Sequence, residues 1–237
     1  MEALNIETIN TETDKRTFIF KEEIICDFKK NITPKSVYAV FDCHTDTRTV
    51  TLGEMIINSR SLADHLRGCR RAVLLAATLG VNADMLTRKY SVQNMGKTLI
   101  AQSICADIIE KYLDDAEKEF SKADGLTGLF PVTRFSPGYG DFDIKYQKDI
   151  LKTLDASRIG LSLTDGYMLT PAKSVTAVIG FSQEKKQRAF KCASCNWTCS
   201  TTRLVASQVL QFSGLKPKKL PFFSGSCSIT EVIEQLY

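Results

Sequence analysis

Two rhythms of apolar residues run along this chain. Short blocks rich in β-branched and aromatic residues alternate with stretches whose apolar positions recur every three or four residues. Val37-Tyr38-Ala39-Val40-Phe41 and Arg48-Thr49-Val50-Thr51-Leu52 are of the first kind and read as strands. Ala72-Val73-Leu74-Leu75-Ala76-Ala77-Thr78 is apolar without alternation and is closed by Gly80, which predicts a strand covered on both faces at the middle of a sheet. Ser174 to Phe181 reads as a further strand with Val175, Ala177, Ile179 and Phe181 on one face. Of the second kind, Ser61 to Arg67 predicts a short helix through Leu62 and Leu66. Val92, Met95, Leu99, Ile104, Ile108, Tyr112, Ala116 and Phe120 predict one long helix from Ser91 to Phe120, with Ser91 as its N-cap. Tyr146 to Leu154 carries Ile150, Leu151 and Leu154 on one side of another helix. Ser228-Ile229-Thr230-Glu231 forms a capping box ahead of Val232, Ile233 and Leu236.

Residues 1–16 are mostly polar and read as a flexible tail, with order beginning at Thr17-Phe18-Ile19-Phe20. Residues 17–237 then read as a single domain whose last segment, from about residue 190, contains cysteines. Strands and helices do not alternate regularly, so the expected class is α+β, a largely antiparallel twisted sheet flanked by helices. No Gly-x-Gly-x-x-Gly follows a strand and no phosphate-binding Walker loop is present, which argues against a dinucleotide or nucleoside-triphosphate site.

Composition narrows the partners. The net charge is only +4 on 31 basic and 27 acidic residues, without a long block of either sign, so neither nucleic acid nor a membrane surface is expected. No apolar run approaches the ~20 residues that span a bilayer, and no signal segment is evident, so the expected location is the cytoplasm. Eight cysteines in such a chain are expected to be reduced. Cys26, Cys43, Cys69 and Cys105 lie in apolar surroundings that suit core thiols. Cys192, Cys195 and Cys199 are spaced Cys-x2-Cys-x3-Cys and can converge on one metal, with Cys227, solvent or a partner group as fourth ligand. They lack the second Cys-x2-Cys pair of a zinc ribbon, and buried thiols or a redox-labile pair are the competing readings. His44 and His65 have no partner spacing that makes either a ligand or a base.

The most informative run is Arg134-Phe135-Ser136-Pro137-Gly138-Tyr139-Gly140-Asp141. Pro137 fixes its own φ, Gly138 and Gly140 permit positive φ and close backbone approach, and Arg134 offers a planar fork matched to a carboxylate. Such a loop can present amides and one cation to a small zwitterion, although Ser-Pro-Gly-Tyr-Gly-Asp is also an ordinary turn sequence. Asp107 and Glu110 sit three residues apart on the predicted long helix, where acids are most often simply solvated.

With the downstream run Leu163-Thr164-Asp165-Gly166-Tyr167-Met168-Leu169-Thr170-Pro171-Ala172-Lys173-Ser174-Val175, the loop resembles the activation domain of cobalamin-dependent methionine synthase. Ser61-Leu62-Ala63, Leu66, Cys69, Ala72-Val73-Leu74 and Ala76-Ala77-Thr78-Leu79-Gly80 extend the resemblance to stand-alone relatives over roughly residues 50–185. It implies an accessory subunit that binds S-adenosylmethionine and positions its methyl group for reductive remethylation of cob(II)alamin on a separate methionine synthase core. A flavodoxin-like or other reductant would supply one electron, and the chain would be one component of a methyl-transfer system rather than a complete enzyme. By the same resemblance Arg134 would bind the ligand's carboxylate, Ser136 and Gly138 would contact its adenosyl part, and Tyr139 would face the corrin. Glu110, or by another alignment Asp107, would meet the ligand from the helix. Two departures stand out: for the aromatics expected after Ser174 to Phe181 this chain offers only Phe190 as a substitute, and Ala177 stands where a glycine is expected. The alternative is a zinc- or iron–sulfur-binding electron-transfer or interaction protein on the same scaffold, centred on Cys192, Cys195 and Cys199.

Overall fold

The apolar run at Ala72 to Thr78 forms the greater part of β4 (Cys69–Thr78), and from Ala72 on each of its residues is buried. The structure, a computed structural model, describes residues 12–185, which fall into two compact units. One is built from residues 31–85 and 108–185, the other from 12–30 and 86–107.

The larger unit holds β1 (Lys35–Thr45), β2 (Thr49–Leu52), β3 (Met55–Asn58), β4, β5 (Phe130–Pro131) and β8 (Ser174–Ser182) in one sheet of order β3-β2-β1-β4-β8-β5. All pairings are antiparallel, as the expected fold class requires. A separate small hairpin joins β6 (Ser162–Leu163) to β7 (Leu169–Thr170). The register places Val37 opposite Ala76, Ala39 opposite Leu74, and Leu74 opposite Val178, so these side chains share one face. That face carries the main core, closed by Leu62, Ala63 and Leu66 of α2 (Arg60–Leu66) and by Ile150 of α5 (Tyr146–Thr153). On the opposite face Ser36 and Tyr38 meet the second half of α4 (Met95–Phe120), through a 3.0 Å hydrogen bond to the Tyr112 hydroxyl and a 5.0 Å ring contact with Phe120. From Thr176 to Ser182 every residue of β8 is buried, so the strand is covered on both faces and not only on the face of Val175, Ala177, Ile179 and Phe181.

The long helix expected from Ser91 to Phe120 is two helices. α3 (Val81–Gln93) ends before Asn94, and α4 begins at Met95. The Asn94 Oδ1 accepts a 2.7 Å hydrogen bond from the Gly96 amide, giving the backbone a cap where the periodicity suggested continuity. Ser91 is no N-cap: it lies inside α3 and donates its hydroxyl to the Arg88 carbonyl. Val92 and Met95, read as core positions, are 84% and 73% exposed. α3 escaped a hydropathy reading because it buries Ala83, Thr87 and Tyr90 while Val81 and Met85 face solvent.

The smaller unit contains most of α1 (Glu12–Asn31), the second half of α3 and the first half of α4. α1 already includes Glu12, within the segment expected to be a polar tail, while residues 1–11 lie outside the described residues. Ile24 and Phe28 of α1 are fully buried, and Phe28 stacks on Tyr90. The Tyr90 hydroxyl donates to Asp27 at 2.7 Å, and burial together with that carboxylate raises its pKa. Of the cysteines expected in the core, Cys43, Cys69 and Cys105 are buried, and burial followed by the neighbouring Cys69 pushes the Cys43 thiol up to about 12. Cys26, on α1, is exposed and corrects that expectation.

Candidate ligand-binding loop

β8 organises both runs singled out in the sequence. After β5 the chain stays beside it, with the Val132 amide donating to the Gly180 carbonyl and Phe135 exchanging two backbone hydrogen bonds with Val178, at 2.8 and 2.9 Å. The downstream run feeds into β8 at Ser174, four positions from Val178, or roughly 13 Å along a strand. Its end is fastened by the Leu79 amide on the Lys173 carbonyl, the Ala172 amide on Asp84 and the Ser174 hydroxyl on Thr78.

Arg134 sits beside the bridge to Val178, its side chain only 17% exposed, and points at the acids of α4. Its Nη2 lies 2.8 Å from both Glu110 and Asp114, and its Nη1 lies 3.3 Å from Glu117. Glu110 and Asp114 are well exposed, whereas the Glu117 side chain is 9% exposed. Burial works against the charged guanidinium, but the hydrogen bond to Asp114 and the three surrounding carboxylates outweigh it and raise the Arg134 pKa. The structure therefore joins Arg134 to Glu110, two residues proposed separately, and adds Asp114 and Glu117. Those two were legible in principle: positions 110, 114 and 117 recur at four and three and so share a helix face.

Past Phe135 the loop turns sharply. The Gly138 amide donates to the Phe142 carbonyl at 2.7 Å and the Phe142 amide to the Tyr139 carbonyl at 3.0 Å. Gly138 and Gly140 have φ of 94° and 57°, the left-handed region that glycine enters without strain. Tyr139, between them, is 52% exposed and meets the Phe135 ring edge-on at 6.0 Å. Asp141 reaches across to α2, where its carboxylate accepts from the Ser59 hydroxyl and the Arg60 and Ser61 amides at 2.6 to 2.9 Å. The Ser59 bond and these amides hold the Asp141 carboxyl well below the usual carboxylate range. His65, without evident role in the sequence, belongs to the same region: its ring lies 4.9 Å from Phe135 and its Nε2 donates to the Thr133 carbonyl.

Ser136 lies in this turn and its carbonyl accepts from the Tyr139 amide at 3.2 Å. Cys192, Cys195, Cys199, Cys227 and Phe190, and the capping box at Ser228, lie outside the described residues. Among the described residues no cluster of three or more His, Cys, Asp or Glu could hold a metal, and no helix is long and apolar enough to cross a membrane.

An α+β fold with a six-stranded antiparallel sheet, a glycine-flanked tyrosine and a half-buried arginine paired with acids of α4 is thus defined. No family model matches the chain, and no curated protein does. Among solved structures it is similar to the crystal structure of the MetH reactivation domain bound to AdoHcy, with a TM-score of 0.54 and 14% sequence identity over 100% of this chain and 81% of that one. The likeness is one of fold, and it agrees with the fold expected from the two sequence runs.

Proposed function

We propose that this chain binds S-adenosylmethionine and positions its methyl group for reductive remethylation of cob(II)alamin carried by a separate methionine synthase core. The observation that carries the reading is the union of Arg134 and Glu110 at the foot of the Gly138-Tyr139-Gly140 turn, on a fold similar to that of a solved domain bound to AdoHcy, the demethylated form of that ligand. The donor set fits an amino-acid zwitterion. Arg134 offers a fork for the carboxylate, and the exposed acids of α4 can take the ammonium. Since Glu110 and Asp114 are well exposed, they swing away at little cost when a ligand carboxylate replaces them, while buried Glu117 stays and keeps the guanidinium oriented. Backbone at Ser136 and Gly138 would meet the adenosyl part, and exposed Tyr139 would face the corrin on the partner.

In this reading the protein supplies geometry and no general acid or base. S-adenosylmethionine brings the methyl group, the partner brings the acceptor cobalt, and a flavodoxin-like or other cytoplasmic reductant brings one electron. Holding donor and acceptor in line removes translational freedom, which alone is worth several orders of magnitude in rate. Titration calorimetry with S-adenosylmethionine, with and without a cobalamin-loaded core, tests the reading. Arg134→Lys retains a cation for Glu117 but loses the planar fork, so binding should weaken about 10-fold, equivalent to about 1.4 kcal/mol. Absence of binding by the wild-type protein under both conditions would sink the proposal.

A further inference from the structure

We infer that Asp141 is a positioning residue: by latching the Gly138-Tyr139-Gly140 turn onto the start of α2, it sets how Tyr139 is presented before ligand or partner arrives. The consequence for methyl transfer rests on the function proposed above, whereas the latch itself does not. Asp141 accepts from Ser59 Oγ at 2.6 Å, the Ser61 amide at 2.9 Å and the Arg60 amide at 2.9 Å. Ser59 in turn accepts from the Leu62 amide at 3.1 Å, so one hydroxyl couples the latch to the first turn of the helix. Gly140 makes the second contact with α2: a Cβ there would lie 2.5 Å from Ser61 Oγ and 2.8 Å from Ser61 Cβ. Two consecutive residues immediately after Tyr139 are thereby fixed on α2.

On the other side of Tyr139 the Gly138 amide is tied to the Phe142 carbonyl, and Phe135 is tied to β8. Phe142, fully buried, anchors the far end of the turn in the core. Tyr139 is thus the exposed apex of a turn pinned at Phe135, Gly140, Asp141 and Phe142. Asp141 is exposed and spends its carboxylate on Ser59, Arg60 and Ser61 rather than on Arg134 or the acids of α4, so its loss should spare the core and the carboxylate fork. What it controls is the direction of the apex. Methyl transfer between two bound partners is sensitive to such direction, because a misplacement of about 1 Å can cost about 100-fold in rate.

The test compares wild-type protein, Asp141→Ala and Asp141→Asn in three measurements. In amide hydrogen exchange, Asp141→Ala should exchange at least about 10-fold faster at Ser61, Gly138 and Phe142, with β4 amides unchanged, as expected of local opening. In calorimetry its affinity for S-adenosylmethionine should stay within about 3-fold of wild type, since Arg134 is untouched. In rescue of an oxidised methionine synthase core, kcat should fall about 10- to 100-fold with KM for S-adenosylmethionine nearly constant, and Asp141→Asn, which keeps one acceptor oxygen, should fall between. Unaltered exchange at the turn, an unaltered kcat, or a loss confined to KM would each overturn the inference. Should Asp141→Ala fail to fold, Asp141→Asn carries the same comparison. A wild-type protein that neither binds the methyl donor nor rescues the core overturns the proposed function instead, and exchange at the turn, which needs no ligand, still decides the latch.

Discussion

Removing the Arg134 guanidinium should expose how strongly the fold depends on a counter-charge for Glu117. Glu117 is 7% exposed and lies on α4 with its carboxylate 3.3 Å from Arg134 Nη1. At an effective dielectric constant of about 20, unit charges at that separation attract by about 5 kcal/mol before desolvation is subtracted. Taking one partner from a buried pair typically costs about 3–5 kcal/mol, because the survivor is left without compensation. Since the Arg134 side chain retains some solvent contact, Arg134→Ala is expected to lose about 2–4 kcal/mol of unfolding free energy. Glu110 and Asp114, at 60% and 57% side-chain exposure, should add no more than about 1 kcal/mol each. The assay is urea unfolding of wild type, Arg134→Ala, Glu117→Gln and the double variant, compared at constant m-value. Glu117→Gln removes the charge that needs a partner, so the double variant should be about 1–3 kcal/mol more stable than the sum of the single losses allows. Strict additivity of the two substitutions would show that Glu117 does not depend on Arg134, and the reasoning would fail.

The Asp141 latch should also shape acid stability. Its folded-state pKa lies below the ordinary aspartate value near ~3.9, so its contribution is complete above that pH and is lost as pH falls toward the lowered value. Unfolding midpoints of wild type should therefore drop more steeply below about pH 4 than those of Asp141→Asn, and parallel curves would contradict the latch. For the cysteine segment, elemental analysis of anaerobically purified protein should show close to one zinc or a stoichiometric iron content that Cys195→Ser abolishes if Cys192, Cys195 and Cys199 hold a metal. Three freely titrating thiols without metal would favour packing.

Much of the sheet was legible in the chain itself. Ala72 to Thr78 contains no charged or strongly polar side chain that could face water, so only a strand covered on both faces accommodates it, and β4 is that strand. The loop was legible for a similar reason, since two glycines around one tyrosine announce positive φ wherever the turn lies, and Gly138 and Gly140 adopt it. Local chemistry, however, does not reveal which distant group a side chain will meet. The break at Asn94 was hidden because Val92, Met95 and Leu99 keep a three-to-four spacing across it, although Val92 and Met95 prove exposed and the Asn94 side chain caps the start of α4. Glu117 reads as a solvated acid on a helix surface, yet it is buried because Arg134 arrives from beyond the end of α4 to neutralise it. Asp141 reads as the polar end of a turn, and only tertiary folding brings Ser59, 82 positions away in sequence, within 2.6 Å of it. The amino-acid order thus determined what each segment could form from its own rotational preferences and hydropathy. Long-range packing decided which charges were paired and where the loop was anchored, because those depend on separations that periodicity does not encode.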